Sequence, residues 1–288
     1  MTTPNPCASE AHPVSSRSSW SSLLRRTLVY FALLYLAMLG ILMVLEHRLI
    51  FRPTPADEEW QERTRFHKQD VWWTLESGEQ IHAWWCPIQE PKWYLLYCHG
   101  NAGNLSFRDV FIDDWQKRVA AAVLIFDYPG YGHSSGRPSE KNCYAAGRAA
   151  YRWLREQGFP AERIVLFGES LGGGVATELA LQEPHAALVL LACFTSIPDL
   201  AQEIFPFIPA RWLVRTRFDN LARIRHYSQP LLILHGQRDE LIPPHHAQRL
   251  YEACPSRHKK LILVPGHDHN SVGFAAIYDA IREFLDSL

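Results

Sequence analysis

The amino-acid sequence predicts an α/β fold, with a mostly parallel sheet covered by helices on both faces. The first observation is that short apolar strands alternate with helix-length segments along residues 93–287, which is typical of parallel strands joined by crossover helices. The second is that these strands are apolar throughout, as expected when both faces of a sheet are buried. The third is a separate, uncharged apolar run at residues 27–45, before the alternating pattern begins.

Each element of the domain follows from this pattern. Aromatic-rich runs at 71–75 and 81–86, separated by a polar turn, predict a β-hairpin that adds antiparallel strands at one edge of the sheet. The later apolar runs predict strands at 93–98, 122–127, 164–167, 187–191, 231–235 and 261–264. The segments between and after them predict helices at 105–118, 140–157, 171–183, 244–253 and 273–287. Residues 71–288 are therefore predicted to form one domain.

Residues 196–224 interrupt the alternation of strands and helices. The segment contains Phe205, Phe207, Trp212 and Phe218 together with three prolines, and it has no strand pattern. Such a segment fits either a small cap over a pocket or a surface loop with helical turns. Its aromatic content favours the cap, because clustered exposed apolar groups usually cover or bind something.

Residues 27–45 form a predicted transmembrane segment. The run contains no charged residue, and at about 1.5 Å per residue it would span roughly 28 Å, close to the hydrocarbon thickness of a bilayer. A cleaved signal peptide is the alternative, but the run is longer than a usual signal core and no Ala-x-Ala-like site follows it. A buried core helix is disfavoured because the run is apolar on every face. We expect a disordered tail at 1–26, this anchor, and a polar linker at 46–70.

The positive charges around this segment predict its orientation. Arg17, Arg25 and Arg26 precede the run, whereas Arg48 and Arg52 follow it near several acidic residues. The positive-inside rule then leaves the N-terminus in the cytoplasm. A twin-arginine signal fits the residues around Arg25 and Arg26 poorly. We expect a single-pass membrane protein with an extracytoplasmic domain.

The composition of the chain excludes one class of partner. It carries 29 Lys and Arg against 30 Asp and Glu, so no basic excess exists to neutralise the phosphates of a nucleic acid. Its six cysteines show no Cys-x-x-Cys pair and no metal-like spacing, which favours buried free thiols. We therefore predict no nucleic-acid partner and no metal or other cofactor.

A Gly-x-Ser-x-Gly motif at residues 168–172 is the strongest candidate for a catalytic centre. It directly follows the predicted strand at 164–167 and precedes a helix-compatible stretch, which is the context that a nucleophile elbow requires. The sharp turn would hold Ser170 in strained backbone geometry, while the flanking glycines leave room for neighbouring elements. The Ser170 hydroxyl would lie at a helix N-terminus, where partial positive charge favours an anion. Ser170 is the predicted nucleophile.

A serine hydroxyl needs a base that takes its proton and a carboxylate that orients the base. Asp239 follows the predicted strand at 231–235, at the carboxyl end where the ligand-facing groups of an open α/β sheet collect. Asp199, after the preceding strand, is the alternative acid. Asp239 is preferred because its position matches that edge of the sheet.

Two histidines, His267 and His269, follow the last predicted strand. Alternate residues of an extended loop point in opposite directions, so only one of them can face the nucleophile. A metal site at this His-x-His pair, with His245 and His246 as further ligands, is disfavoured because carboxylates or thiols do not accompany it in a recognisable spacing. The residues alone leave the choice between His267 and His269 open.

Acyl transfer also needs hydrogen-bond donors for the oxyanion of its intermediate. The backbone N–H of Leu171, the residue after the nucleophile, is one candidate donor. The loop at residues 99–104, after the predicted strand at 93–98, offers the second, and Asn101 is the candidate there. A helix-capping role for the loop, with Asn104 as cap, is compatible with this. A phosphate-binding loop is disfavoured because neither a Gly-x-Gly-x-x-Gly motif nor a Walker lysine is present.

Five motifs in this order resemble a known family. They are His-Gly-Asn-Ala-Gly-Asn at 99–104, Asp-Tyr-Pro-Gly-Tyr-Gly at 127–132, Gly-Glu-Ser-Leu-Gly-Gly at 168–173, His-Gly at 235–236 with Asp239, and His-Asn at 269–270. Together they are similar to the single-pass membrane α/β-hydrolases of the serine-aminopeptidase-like superfamily, over about residues 45–288. The resemblance implies the α/β-hydrolase fold with a minimal cap. It also favours His269 as the base, since the family's histidine directly precedes Asn. Ser271 departs from the family, in which Asp often follows the His-Asn pair.

The resemblance implies hydrolysis of esters, thioesters or peptides, through Ser170, His269 and Asp239. The apolar anchor and the apolar segment 196–224 favour a small-molecule or lipid acyl substrate near a membrane. We expect a membrane-anchored serine hydrolase that cleaves acyl esters or thioesters. An aminopeptidase or amidase, and a non-catalytic binding protein that retains the fold, are the alternatives.

Overall fold

The computed structural model describes residues 17–271 and 276–288. Its first element is helix α1, Arg17–Ile50, and the stretch Ser22–Ile50 is long and apolar enough to cross a membrane. The helix begins ten residues before the predicted anchor, so the assignment of residues 17–26 to the disordered tail is wrong. The reason lies in the sequence, which has no proline between residues 17 and 50 and Gly40 as its one glycine there. Residues 1–16 of the predicted tail lie outside the described residues.

Residues 46–288 form one compact unit. The predicted linker at 46–70 is part of it, which corrects the expectation of a solvated connection. Phe51 is buried, the two-residue strand β1 (Arg52–Pro53) pairs in parallel with β5 (Ala102–Gly103), and the Trp60 ring packs against that of Trp84. These apolar side chains hold the segment against the domain.

An eight-stranded sheet forms the centre of this unit. Its strands in chain order are β2 Gln69–Thr74, β3 Gln80–Cys86, β4 Trp93–Cys98, β6 Ala121–Phe126, β7 Ile164–Glu169, β8 Ala187–Leu191, β9 Leu231–Gly236 and β10 Lys259–Val264. Their spatial order is β10-β9-β8-β7-β4-β6-β3-β2. The six strands from β10 to β6 pair in parallel, and the β2–β3 hairpin continues the sheet in antiparallel pairing. The predicted mostly parallel sheet with a leading hairpin at one edge is confirmed.

Helices cover both faces of the sheet. They are α2 Asp109–Val119, α3 Glu140–Glu156, α4 Gly172–Gln182, α5 Ile197–Ile204, α6 Ala210–Leu213, α7 Asn220–Ile224, α8 His245–Ala253 and α9 Ala276–Asp286. Side chains of α3, α4 and α8 share one core cluster, whereas those of α2 and α9 belong to the other. Neighbouring strand residues divide between the two clusters, as with Leu95 and Leu96 of β4, because successive side chains of a strand point to opposite faces.

The segment between β8 and β9 contains the three short helices α5, α6 and α7. Phe218 is fully buried, whereas Phe207 and Trp212 are 90% and 88% exposed. The segment therefore joins the core through one part and presents large apolar side chains to solvent with another. We refer to residues 196–224 below as the cap.

Candidate active site

Ser170 lies at the turn between the central strand β7 and helix α4. Its backbone has φ +50°, a left-handed conformation that a residue with a Cβ rarely adopts, and its N–H donates to Leu191 O at 2.9 Å. A Cβ added at Gly168 would lie 2.5 Å from Gly173 Cα, and one at Gly172 would lie 2.0 Å from Cys98 O. Both glycines of the motif are therefore required by close backbone approach, and the turn has the geometry of a nucleophile elbow.

A thiol lies beside the elbow as well. Cys193 Sγ donates to Gly168 O at 3.4 Å, and burial raises the pKa of this thiol far above its ordinary value. It therefore stays protonated and is unsuited to act as a nucleophile. The five cysteines at positions 86, 98, 143, 193 and 254 are all buried and free, as the sequence predicts for them, and Cys7 lies outside the described residues.

Asp239 follows β9 and is almost completely buried. Its Oδ1 accepts hydrogen bonds from the N–H groups of Leu241 and Ile242 at 3.0 and 2.8 Å. Its Oδ2 lies 2.7 Å from His269 Nδ1 and 3.2 Å from His235 Nε2. Burial alone would raise the pKa of this carboxyl, but the hydrogen bonds from the two histidines and from the Ile242 amide hold the pKa well below its ordinary value. Asp239 is therefore an ionised carboxylate with its lone pairs directed at histidine.

His269, on the loop after β10, is the histidine that contacts this carboxylate. Because a carboxylate accepts, Nδ1 of His269 carries the proton, and in the neutral ring Nε2 keeps a free lone pair. His267 has a different role: its Nδ1 lies 2.9 Å from Pro265 O, and its backbone oxygen accepts from Arg238 N–H at 2.8 Å. The structure thus pairs His269, and not His267, with Asp239, as the resemblance implied.

A local turn holds His269 in place. Asp268 Oδ1 accepts from the N–H groups of Asn270 and Ser271, while the Ser271 hydroxyl accepts from Asp268 N–H at 2.9 Å. Ser271, which departs from the family pattern, therefore closes a reciprocal pair of hydrogen bonds around the histidine. The substitution leaves the His269–Asp239 contact intact.

The described residues, 17–271 and 276–288, include no hydrogen bond between the Ser170 hydroxyl and the His269 ring. Ser170 follows β7, Asp239 follows β9 and His269 follows β10, so all three lie at the carboxyl edge of the same parallel sheet. Hydrogen bonds to a catalytic nucleophile are often long without substrate and tighten in the complex. His269 and Asp239 thus form a hydrogen-bonded pair, and Ser170 lies at the same carboxyl edge of the sheet.

The two predicted oxyanion donors follow neighbouring strands, Leu171 after β7 and Asn101 after β4. Leu171 precedes helix α4, and within the described part of the chain its N–H has no hydrogen-bond partner. Oδ1 of Asn101 accepts from Arg52 N–H and from the Tyr131 hydroxyl, and Nδ2 donates one of its two N–H groups to Ile50 O. Because the side chain is directed to these partners, the backbone N–H of Asn101, which has no hydrogen-bond partner among the described residues, is the better candidate to bind an oxyanion.

Sequence analysis missed the residues that hold these donors in place. The guanidinium of Arg108 donates to Glu169 Oε2 at 2.9 Å and to Ala102 O at 3.3 Å, and Tyr97 donates to the same Glu169 oxygen at 2.7 Å. Burial alone would raise the pKa of Glu169, but Arg108 and Tyr97 keep the pKa low. Arg108 therefore ties the residue before Ser170 to the oxyanion loop at 99–104.

Two tyrosines brace the same loop from the other side. The Tyr128 hydroxyl donates to His99 O at 2.8 Å, and the Tyr131 hydroxyl donates to Asn101 Oδ1 at 2.8 Å. Both belong to the Asp-Tyr-Pro-Gly-Tyr-Gly motif at 127–132, which sequence analysis used for the resemblance without a role. The motif itself was the available signal, since two tyrosines beside a turn are suited to hold a neighbouring loop.

The remaining candidates are directed elsewhere. Asp199, the alternative acid, accepts from the Thr195 hydroxyl and pairs with Arg211 and Arg249. His245 and His246 face Glu203 at 3.1 and 3.2 Å, away from His267 and His269, and these three side chains could hold a metal ion by their spacing. Their nitrogen and carboxylate atoms already pair with one another. Asp199 is thus engaged away from His269, and His245 and His246 pair with Glu203, so the disfavoured alternatives of Asp199 as the acid and of a metal site on these histidines gain no support.

Comparisons with known proteins identify the family of the chain. A family model described as α/β hydrolase fold matches residues 94–223, and one described as serine aminopeptidase matches residues 210–273. An uncharacterized protein of Mycobacterium tuberculosis is 34% identical over 90% of this chain and 95% of its own length. The α/β-hydrolase domain-containing protein 17B of Xenopus laevis is 34% identical over 69% of this chain and 68% of its own. The chain belongs to the α/β-hydrolase family.

Solved structures show the same fold. An esterase of Pyrococcus furiosus superposes with a TM-score of 0.67 at 18% identity, covering 83% of this chain and 98% of its own. Est1E of Butyrivibrio proteoclasticus, solved with ferulic acid bound, superposes with a TM-score of 0.63 at 20% identity, covering 75% of this chain and 98% of its own. The predicted α/β-hydrolase fold is confirmed, and the chain is similar in architecture to esterases.

Proposed function

We propose that the protein is a membrane-anchored serine hydrolase that cleaves acyl esters or thioesters through an acyl-enzyme. The observation that carries the proposal is Ser170 at positive φ on the elbow, at the same sheet edge as the His269–Asp239 pair. A nucleophile in this position needs a base nitrogen without a proton, and because His269 Nδ1 donates to the ionised Asp239, Nε2 is that nitrogen in the neutral ring. Hydrolase family membership supports the reaction class.

The reaction then has two halves. Ser170 Oγ attacks the carbonyl carbon while His269 Nε2 takes its proton, and the N–H groups of Leu171 and Asn101 bind the resulting oxyanion. His269 returns the proton to the departing alcohol or thiol, which leaves an acyl-Ser170 ester. Water attacks this ester while His269 takes its proton, the bond between the acyl carbon and Ser170 Oγ then breaks to release the acid, and His269 returns the proton to Ser170 Oγ. Asp239 stabilises the imidazolium in both halves.

Hydrolysis of p-nitrophenyl esters by the full-length protein in detergent tests the roles of the two histidines. We expect His269→Ala to lower kcat/KM by at least about 10³-fold, because residues of a triad act as a unit. His267→Ala is the matched control and should retain most of the activity, since its ring contacts Pro265 O. Equal losses, or a larger loss for His267→Ala, would contradict the assignment of His269 as the base.

An aminopeptidase or amidase is the second candidate, supported by the serine aminopeptidase match at residues 210–273. Such an enzyme binds the ammonium group of its substrate, usually through a carboxylate. Glu169 pairs with Arg108 and Asp239 pairs with His269, so neither of these two carboxylates is free to bind an ammonium group. A panel of aminoacyl anilides beside acyl esters separates the two, and faster turnover of the anilides would select the aminopeptidase. A non-catalytic binding protein would turn over neither.

We propose that α1 anchors the protein as a single membrane span, with the hydrolase domain outside the cytoplasm. The stretch Ser22–Ile50 has the required length and apolar character, and the three arginines at 17, 25 and 26 favour a cytoplasmic N-terminus. Resistance to carbonate extraction tests the anchor. Alkaline phosphatase fused after Leu288 and expressed in a bacterium tests the orientation, because it is active only outside the cytoplasm. A fusion that is stable but inactive would show instead that the hydrolase domain faces the cytoplasm.

A further inference from the structure

The exposed apolar surface of the domain is concentrated on one stretch of the cap. Between residues 204 and 217, the side chains of Ile204, Phe205, Phe207 and Trp212 are about half or more exposed. Trp212 is 88% exposed, although burial of such a ring is among the larger favourable contributions that one side chain makes. We call residues 204–217 the docking face. A soluble surface rarely presents this many large apolar groups together unless they contact something.

The charges of the docking face are of one sign. It contains Arg211, Arg215 and Arg217 and no acidic residue, and all three arginines are exposed. Arg211 pairs with Asp199 at 3.0 Å, and Arg217 lies 4.0 Å from Asp219, both outside the stretch. Trp and Phe rings beside arginine side chains are the composition that favours the boundary between lipid headgroups and acyl chains.

The docking face is also tied to the end of helix α1. Glu46 Oε1 accepts from the N–H groups of Arg215 and Thr216 at 3.0 and 2.8 Å. Five residues further on, the Phe51 ring packs edge-on against Phe218. Glu46 directly follows the apolar run at 27–45. A bilayer crossed by that run therefore has its surface at the residue that the docking face binds.

We propose that the docking face inserts its aromatic side chains into the surface of the bilayer in which the protein is anchored, so that the substrates are acyl lipids taken from that bilayer. The proposal rests on the membrane anchor and the hydrolase activity proposed above. The cap begins shortly after the strand β8, whose last residue, Leu191, accepts through its O from Ser170 N–H. Phe218, next to the docking face, packs on Gly174 in the first turn of α4, where a Cβ would meet it at 2.4 Å.

Depth-dependent fluorescence quenching tests the docking. Full-length protein with Cys7→Ser and Trp212→Cys is labelled with the fluorophore NBD and reconstituted into vesicles that contain lipids with brominated acyl chains. The control carries Trp72→Cys instead, since Trp72 is a half-exposed tryptophan on the edge strand β2. We expect strong quenching at position 212 and little at position 72. Equal quenching at the two positions, or a label at 212 that only a water-soluble quencher reaches, would overturn the proposal.

A second copy of the chain is the competing occupant of the docking face. It would shield the label at 212 from both quenchers and would make that shielding depend on protein density in the vesicles, which would also overturn the proposal. Carbonate extraction and labelling by a fluorophosphonate probe are run on the same samples. A failed anchor or an inactive serine is thereby distinguished from a cap that simply does not dock.

Kinetics give an independent measure of the same contact. The rate on a long-chain ester embedded in vesicles is divided by the rate on a water-soluble short-chain ester. We expect Trp212→Ser to lower this ratio by about tenfold, because one large aromatic side chain no longer contributes its burial in the bilayer. Trp72→Ser should leave the ratio unchanged, and an unchanged ratio for Trp212→Ser would contradict the proposal.

Discussion

The proposed nucleophile and the proposed base are held by different kinds of structure. Ser170 follows a central strand, and the loops around it are braced by buried side chains: Arg108 bridges Glu169 and Ala102, and Tyr131 binds Asn101. His269 lies on the loop at 265–271, which alternates between half-buried and exposed residues. Most of the hydrogen bonds of this loop connect residues within it. The His269 ring is linked to the end of β9 through Asp239.

This difference corresponds to two different requirements of the proposed reaction, one for the oxyanion-binding groups and one for the base. Groups that stabilise a developing oxyanion act best when they are fixed in advance, since no reorganisation is then needed during the reaction. A base must exchange protons with the nucleophile, the leaving group and water in turn. We infer that the Ser170 side of the site is the more rigidly braced of the two.

The largest expected effect comes from weakening the hydrogen bond between His269 and Asp239. Asp239→Asn keeps an oxygen that can accept from Leu241 and Ile242, but a neutral amide no longer fixes the proton on His269 Nδ1. We expect kcat for ester hydrolysis to fall by about 10⁴-fold, the scale of a triad with the wrong tautomer. Steady-state kinetics with circular dichroism as a folding control measure this. A loss of less than about tenfold would show that Asp239 does not orient the base.

The next largest effect comes from removing the ion pair between Arg108 and Glu169, the residue before Ser170. Arg108→Met leaves the carboxylate of Glu169, whose side chain is 20% exposed, without its cation, so we expect the free energy of unfolding to fall by about 3 kcal/mol, the lower end for a buried pair. Arg118→Met is the matched control, because Arg118 forms an exposed pair with Asp114 one helix turn away. Chemical denaturation of both variants measures the difference. Similar stability losses would contradict a special role for the buried pair.

A more modest effect concerns the stability of the wild-type protein at low pH. The folded-state pKa of Asp239 is lowered, so this carboxylate contributes stability that is fully present above its unfolded pKa of about 4 and is lost as the pH falls toward the folded value. Denaturation of the wild type and Asp239→Asn at several pH values isolates this contribution. We expect their difference in unfolding free energy to be constant above about pH 5 and to shrink below pH 4. A difference independent of pH would contradict the prediction.

The smallest effect tests the tyrosine brace of the oxyanion loop. Tyr131→Phe removes the hydrogen bond to Asn101 Oδ1, and we expect about 1 kcal/mol less stability together with a kcat/KM that is lower by about tenfold. Tyr151→Phe removes a comparable hydroxyl bond, to Pro184 O, far from the carboxyl edge of the sheet. It should lose similar stability without the loss of activity. Equal kinetics for the two variants would show that the brace does not position the loop.

Much of the fold could be predicted from the sequence because its strands are short, apolar throughout and separated by regular helices. The elbow could be predicted for the same reason: Gly168 and Gly172 mark places where another backbone leaves no room for a Cβ. The roles of Arg108 and Tyr131 could not, since both depend on partners more than twenty residues away that only the folded sheet brings close. Residues 17–26 were assigned wrongly because their polar composition outweighed the absence of helix breakers.

The most direct test of the central claim is covalent labelling by a fluorophosphonate probe, followed by mass spectrometry of the modified peptide. The account predicts one modified residue, Ser170, in the wild-type protein and no labelling of Ser170→Ala. Ser134→Ala, which removes a buried serine whose Oγ accepts from His82 N–H at 2.9 Å, should label normally once folded. Undiminished labelling of Ser170→Ala, or modification of a different residue in the wild type, would contradict the assignment of Ser170 as the nucleophile.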